Sequence, residues 1–166
     1  LNSVSERLSV IKKDLLTDEL TKEYYAVVDG KAADAVLENY LYKDARVGKA
    51  FVTDKERNGA KLARLSYRTL AEADTEKGKK TLLYVTLDTG RFHQIRAQLS
   101  SRSNPIVGDG KYGINRDDRR RGYKYQALYS YSLEFRFKGD SGILEYLNER
   151  TFKINEDKIW FCREFK

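Results

Sequence analysis

At 166 residues, of which 40% are hydrophobic and 34% charged, the chain has the size and composition of one soluble globular domain with its own core. No apolar run is long enough to cross a bilayer, and a single cysteine, Cys162, excludes an internal disulfide, so we expect a cytoplasmic protein with no membrane partner. One histidine and one cysteine are too few for a zinc site, and no acidic cluster suggests a magnesium site made of carboxylates.

The net charge is +7, and the chain contains twelve tyrosines and seven phenylalanines. Cations combined with aromatic side chains favour a polyanionic partner, and RNA in particular, because bases stack on aromatic rings while phosphates bind lysine and arginine. The alternative is that the charge only keeps the protein in solution.

Hydrophobic periodicity predicts a helix at the start of the chain and strands after it. Residues 3–16, SVSERLSVIKKDLL, carry apolar side chains at helical spacing. KEYYAVVDG (22–30) is typical of a strand that ends in a turn, whereas the charged segment 31–60 fits no single pattern. KLARLSYRTLAEA (61–73) is compatible with a strand or a helix, and alternation over its first two-thirds favours the strand.

The second half of the chain continues with strands and one short helix. KKTLLYVTLD (79–88) and YQALYSYSLEFRF (125–137) are typical of strands, and HQIRAQLSSR (93–102) predicts a helix with Ile95 and Leu99 on its buried face. The final segments GILEYLNE, TFKI and KIWFCREF predict a further short helix and a strand. Because there is no repeat, linker or low-complexity tract, we interpret the whole chain as one α+β domain.

Unusual residues are concentrated in TGRFHQIRAQLSSRSNPIVGDGKYG (89–113), which contains the only histidine and the only proline. GDGKYG (108–113) fits the G-x-G-x-x-G pattern of dinucleotide-binding proteins, but no strand–turn–helix unit surrounds it, so we prefer a tight loop. His93 is either a general base or, since no neighbour in the sequence would orient it, a residue that hydrogen-bonds locally at the helix start. The basic run RDDRRRGYK (116–124) is either a solvated loop or a phosphate contact.

Arg96 follows Ile95, whose side of the predicted helix should be buried. A cation near a core is costly unless an anion neutralises it. The sequence therefore predicts a partner for Arg96, either a substrate phosphate or a carboxylate elsewhere in the fold.

TGRFHQIRAQL followed by NPIVGDGKYG closely resembles the T-G-R-x-H-Q-I-R and H-P-I-x-G-D-x-x-Y-G signature of RluA-type pseudouridine synthases. KEYYAVVDG and ALYSYSLEF resemble two strands of the same family, in the same order and with similar spacing. The resemblance implies an α+β fold with a mixed, mainly antiparallel sheet and flanking helices. It also implies an isomerase that converts uridine in ribosomal or transfer RNA to pseudouridine, without cofactor or metal.

The same resemblance assigns roles to individual residues. Tyr24 matches the tyrosine that packs against the uracil, Tyr25 should point to the opposite face of the strand, and Arg96 matches the arginine that pairs with the catalytic aspartate. We expect the following residues to bind RNA or shape its site: Lys22, Arg91, His93, Gln94, Lys111, Arg119 and Arg120.

The chain departs from the family at the catalytic aspartate, which the family carries in an H-R-L-D-x-x-T-S-G motif upstream of the helix that begins here near Ser3. No such motif occurs in the sequence, which begins with Leu1 and contains no methionine. We therefore expect residues 1–166 to be the C-terminal portion of a synthase catalytic domain, inactive alone, with Arg96 lacking its carboxylate. The alternative is a non-catalytic RNA-binding homologue, and the oligomeric state is left open.

Overall fold

The computed structural model describes residues 19–76, 78–113 and 123–166, and its strands form one seven-stranded sheet. The strands are β1 (Leu20–Asp29), β2 (Ala35–Asp44), β3 (Lys49–Thr53), β4 (Ala60–Thr75), β5 (Gly78–Leu87), β6 (Leu128–Phe135) and β7 (Thr151–Lys153). In these ranges the sheet is accompanied by one α-helix, α1 (Gln94–Ser101), and by three 3-10 helices at Gly142–Leu147, Glu156–Lys158 and Trp160–Phe165. No helix in the described part of the chain is long and apolar enough to cross a membrane.

The sheet has the order β3-β2-β4-β5-β1-β6-β7, and each pairing between the described strands is antiparallel. The expected α+β class with a mainly antiparallel sheet is thereby confirmed. The predicted strands correspond to β1, β4, β5 and β6, and the predicted helix over 93–102 corresponds to α1. The helix predicted over 3–16 lies outside the described residues.

Two parts of the chain differ from the sequence-based expectation. The segment 31–60, which fitted no pattern, forms the β2–β3 hairpin. Its alternation is hidden because the exposed side of β2 carries Val36 beside charged and aromatic residues. Of the C-terminal segments, for which a short helix and a strand were predicted, GILEYLNE forms a 3-10 helix and TFKI contains β7. KIWFCREF ends in a further 3-10 helix, in which Phe161 and Cys162 are buried.

One face of the sheet, which we call the helix face, carries α1. In register across the sheet, Tyr67 of β4 is opposite Val85 of β5, which is opposite Tyr24 of β1, so these three side chains share a face. Ala63 lies on the same face of β4 and packs in one cluster with Ala97 of α1. Tyr24 therefore lies on the side of the sheet that the helix covers in part.

The opposite face carries a tyrosine cluster and the C-terminal 3-10 helices. The Tyr25 ring contacts Tyr84 and Tyr131, with ring centroids 5.5 Å and 4.6 Å away, and is 5% exposed. Its hydroxyl donates a hydrogen bond of 2.6 Å to Glu156. The predicted separation of Tyr24 and Tyr25 onto opposite faces is confirmed.

Candidate functional site

The turn between β5 and α1 is held together by the side chain of Gln94, which is 3% exposed. Its Oε1 accepts hydrogen bonds from the Thr89 hydroxyl (2.8 Å) and the Arg91 amide (2.9 Å), and its Nε2 donates to the Arg64 carbonyl of β4 (3.0 Å). RNA cannot reach a side chain buried in this way. The side chain of Gln94 therefore holds in place the turn that carries Arg91.

Arg96 forms a two-pronged ion pair with Asp109. The Arg96 Nε and Nη2 atoms donate to the two carboxylate oxygens at 2.7 Å and 2.8 Å. The side chain of Asp109 is fully buried and that of Arg96 is 16% exposed. Of the two partners that the sequence left open for Arg96, a phosphate or a carboxylate, the structure contains a carboxylate, so the expectation that Arg96 lacks its carboxylate within the chain is wrong. Arg96 is satisfied by the glycine loop and links that loop to α1.

The environment of this pair keeps both groups charged. Burial alone would raise the pKa of the Asp109 carboxyl, but the bonds from Arg96 and from the amides of Lys111 and Tyr112 outweigh it, so the pKa lies below its ordinary value. The bond to Asp109 in turn raises the pKa of the Arg96 guanidinium, against the opposing effect of burial. Because both groups stay ionised, the pair keeps its charge-assisted geometry.

The GDGKYG segment is a tight loop, as predicted, and two of its three glycines have packing roles. Gly108 has φ 77°, and a Cβ there would lie 2.2 Å from the Tyr125 carbonyl oxygen. A Cβ on Gly113 would lie 2.4 Å from the Asp109 carbonyl oxygen, which accepts the Gly113 amide at 2.8 Å. The close backbone approaches explain Gly108 and Gly113 without a dinucleotide.

His93 begins α1 in the left-handed conformation, with φ 53°, and contacts Tyr112. The Tyr112 hydroxyl oxygen accepts the amide of Ala50 at 2.7 Å and lies 3.0 Å from Nδ1 of His93. Since that hydroxyl already accepts one bond, we infer that it donates its own hydrogen to His93 Nδ1, which acts as the acceptor. The imidazole is then neutral and carries its proton on Nε2. Burial and then the charges of Arg96 and Lys111 lower the pKa of His93. The local hydrogen-bonding interpretation of His93 agrees with this geometry.

Arg91 differs from Arg96 in its surroundings. Its Nε donates to the Leu62 carbonyl of β4 at 2.8 Å. Within residues 19–76, 78–113 and 123–166 no carboxylate forms an ion pair with it. Burial lowers the pKa of the Arg91 guanidinium. Arg91 is thus a partly buried cation that an arriving anion would stabilise.

Tyr24 is half-buried on the helix face between β5 and β6. Burial raises the pKa of its phenol, and a hydrogen bond with Ser130 partly opposes that effect. Lys22 lies two residues before it on the same face, in register with Leu87 at the end of β5. The sheet therefore brings Tyr24 and Lys22 to the strand whose last residues lead into the Arg91 turn.

The remaining residues that were predicted to bind RNA are Lys111, Arg119 and Arg120. Lys111 is exposed, and its ammonium donates to the Gly48 carbonyl at 2.9 Å. Arg119 and Arg120 lie outside the described residues. Sequence reasoning missed Tyr112, although it is the tyrosine of the G-D-x-x-Y-G signature, and it missed Lys43 and Lys61, which border Arg91. Lys43 belongs to the segment 31–60, where no pattern gave a strand or a face.

Comparison with known proteins identifies relatives of the chain. The sequence model of the family described as RNA pseudouridylate synthase matches residues 7–101. An uncharacterized RNA pseudouridine synthase of Mycoplasma genitalium is 35% identical over 135 residues, which are 79% of this chain and 41% of that protein. The ribosomal large subunit pseudouridine synthase D of Xanthomonas campestris is 30% identical over 142 residues, 76% of this chain and 40% of that protein. The chain spans less than half the length of these relatives.

A solved structure has a similar fold. Human RNA pseudouridylate synthase domain containing 1 superposes with a TM-score of 0.67 at 16% identity, over 95% of this chain and 70% of that one. The family match covers more than half of the chain and includes β1, the Arg91 turn and α1. The chain therefore belongs to the RNA pseudouridylate synthase family, as its resemblance to the RluA-type enzymes implied.

Proposed function

We propose that the full-length protein isomerises uridine to pseudouridine in ribosomal or transfer RNA in the cytoplasm. In this reaction the bond between the sugar and N1 of uracil breaks, the base turns, and C5 bonds to the sugar as its hydrogen is lost and N1 gains one. The family assignment and the geometry of the helix face support the proposal. The single observation that carries it is that Tyr24 and Lys22 lie on this face, in register with the strand that leads to Arg91.

Arg91, in place of Arg96, is the cation that we assign to the reaction. Arg96 is occupied by Asp109, whereas the described partner of Arg91 is a neutral carbonyl. A carboxylate stabilises a partly desolvated guanidinium more than a fully solvated one, because the electrostatic attraction between the two charges is stronger where the dielectric constant is low. We propose that the family's catalytic aspartate, contributed by a segment outside the 166 residues, pairs with Arg91.

Tyr24 is suited to pack against the target base. Its pKa lies above the ordinary value because of burial, so it stays a neutral phenol at physiological pH. A neutral aromatic ring on the helix face offers a flat surface to a flipped uracil. We therefore assign Tyr24 the role of packing against the target base.

The test is to incubate the full-length protein with ribosomal and transfer RNA and to map pseudouridine by carbodiimide modification and primer extension. We expect at least one new stop with the wild-type protein and none with the 166-residue chain alone. Tyr24→Ala should abolish the stop, whereas the matched control Tyr25→Phe, on the opposite face, should retain it. The absence of any new stop in both RNA classes would falsify the proposal.

A second candidate function is RNA binding without modification. The observation in its favour is the net charge of +7 combined with twelve tyrosines and seven phenylalanines, a composition that suits RNA binding. This function predicts salt-sensitive RNA binding by the full-length protein together with unmodified RNA in the mapping experiment. The two candidates are separated by the primer-extension result.

A further inference from the structure

A cleft of about 290 Å³ lies beside the Arg91 turn and is bordered by the β2–β3 hairpin and the start of β4. Ligand-binding pockets for small molecules measure roughly 300–1,000 Å³, so the cleft has room for about one nucleotide. Its buried part is apolar, and its rim carries three cations and one aromatic ring. These lining residues are Leu41 and Ala50 in the buried part and Lys43, Lys61, Arg91 and Phe92 at the rim.

The two lysines of the cleft are not neutralised by neighbouring acids. Among the described residues no carboxylate lines the cleft, and none forms an ion pair with Lys43 or Lys61. Elsewhere on the surface such pairs are common: Arg64 pairs with Asp88 at 3.1 Å, and Lys79 lies 3.5 Å from Asp74. Uncompensated charges gathered around a concave surface attract an anion.

Phe92 gives the cleft an aromatic wall. It is 40% exposed and occupies the variable position of the T-G-R-x-H-Q-I-R motif. Its ring stacks on His93, with centroids 3.8 Å apart and planes 25° from parallel, so it is held in place from one side. The Lys43 ammonium lies 4.5 Å from the ring centroid. An aromatic ring next to free cations is the combination that binds a base together with its phosphate.

We propose that this cleft binds one nucleotide that neighbours the target uridine. Its phosphate binds Lys43 and Lys61 and draws the Lys43 ammonium off the Phe92 ring, and its base stacks on the ring face that is then open. The proposal rests on the proposed function, since that function makes RNA the substrate. Flipping a uridine unstacks its neighbours, and an aromatic wall compensates for the lost stacking. Arg91 joins the cleft to the proposed catalytic site, so the nucleotide bound here lies next to the one that reacts.

The test measures the affinity of the full-length protein for RNA as a function of salt. The probe is a fluorescein-labelled RNA that contains a mapped target uridine or, if none is found, a short single-stranded RNA of mixed sequence, titrated between about 50 and 200 mM KCl. Lys43→Ala and Lys61→Ala should each lower the slope of log K against log salt by about 0.7 to 0.9. Lys79→Ala is the matched control, because its ammonium is already neutralised by Glu72 and Asp74, and it should leave the slope unchanged.

Phe92 is tested by replacing its ring. Phe92→Leu should weaken binding roughly 5- to 150-fold, which corresponds to the loss of one base–aromatic stack, whereas Phe92→Tyr should bind like the wild type. In turnover measurements the lysine variants should raise KM and leave kcat nearly unchanged, because they hold a nucleotide that does not react.

The outcomes separate this proposal from the proposed function. If the wild-type protein forms pseudouridine and the cleft variants keep its salt slope and affinity, the cleft proposal is overturned and the function stands. If the wild type forms no pseudouridine but the cleft variants still lose slope and affinity, the function fails and the cleft remains an RNA-binding site. Equal effects of Phe92→Leu and Phe92→Tyr would remove the stacking part of the proposal.

Discussion

Replacing Asp109 by asparagine changes only one side-chain oxygen to an NH₂ group. It should nevertheless destabilise the protein by about 3 kcal/mol. Asparagine keeps an Oδ1 that accepts the amides of Lys111 and Tyr112, which bond to the carboxylate at 2.9 Å and 3.0 Å. Its Nδ2, however, would face the Arg96 Nε, to which the carboxylate now bonds at 2.7 Å. Two donors would then oppose each other, and the guanidinium would keep only the bond from its Nη2 to a neutral amide oxygen, so its charge would lose its partner.

The magnitude follows from the burial of the pair. Breaking a buried ion pair by removing one partner costs about 3–5 kcal/mol. Asp109 has no exposed side-chain surface, but 16% of Arg96 remains open to water, which can solvate part of the orphaned charge and places the cost at the lower end. The free energy of unfolding of the 166-residue chain is measured by urea titration with the fluorescence of Trp160, its single tryptophan, and the m-value should be unchanged.

The matched control is Asp88→Asn, which breaks the pair between Asp88 and Arg64. These groups are 3.1 Å apart, with side chains 42% and 49% exposed, so the loss should not exceed about 1 kcal/mol. A double-mutant cycle combining Asp109→Asn with Arg96→Met should give a coupling energy of about 2 kcal/mol. Additivity of the two single effects within about 0.5 kcal/mol would refute the reasoning, because it would show that the two side chains do not interact.

Three further predictions concern the loop, the histidine and the tyrosine cluster. Gly108→Ala should lower the free energy of unfolding, measured in urea, by more than about 2 kcal/mol, because φ is positive and the new Cβ would clash with a backbone carbonyl. Gly110→Ala, whose Cβ would have no atom within 4 Å, should be nearly neutral. The NMR titration of His93 should have a midpoint below pH 6.5. The free energy of unfolding should fall as the pH drops below 6.5, because the histidine of the unfolded chain binds a proton at a higher pH than that of the folded chain. A midpoint above pH 6.5 would contradict the neutral assignment. Tyr25→Phe should lower the free energy of unfolding by about 1 kcal/mol, because it removes the hydrogen bond to Glu156, and it should retain RNA modification. An inactive Tyr25→Phe variant would contradict the assignment of the site to the helix face.

Much of the fold was predictable because the strands next to the site are rich in strand-forming residues. β1 and β5 contain many such residues, and Ile95 and Leu99 gave the buried side of α1, where they are 4% and 0% exposed. The separation of Tyr24 from Tyr25 followed from the period of a strand alone. These features depend on local geometry, which the sequence determines directly.

The partner of Arg96 was not predictable in the same way. Burial next to Ile95 gave the need for an anion, but the identity of the anion depends on how the glycine loop folds back onto α1. Asp109 reaches Arg96 because the amides of Lys111 and Tyr112 hold its carboxylate in place. The cleft around Phe92 was missed for a similar reason, since Lys43 comes from a hairpin whose strands have no clear alternation.

The most direct test of the central claim measures the single-turnover rate at which the full-length protein releases tritium from carbon 5 of uridine in a target RNA. We predict release by the wild type and by Tyr25→Phe, and a loss of about 10²–10³-fold in rate for Arg91→Leu, because that variant removes the cation proposed to meet the catalytic carboxylate. A wild-type rate in Arg91→Leu, or no release by the wild-type protein from ribosomal and transfer RNA, would contradict the account.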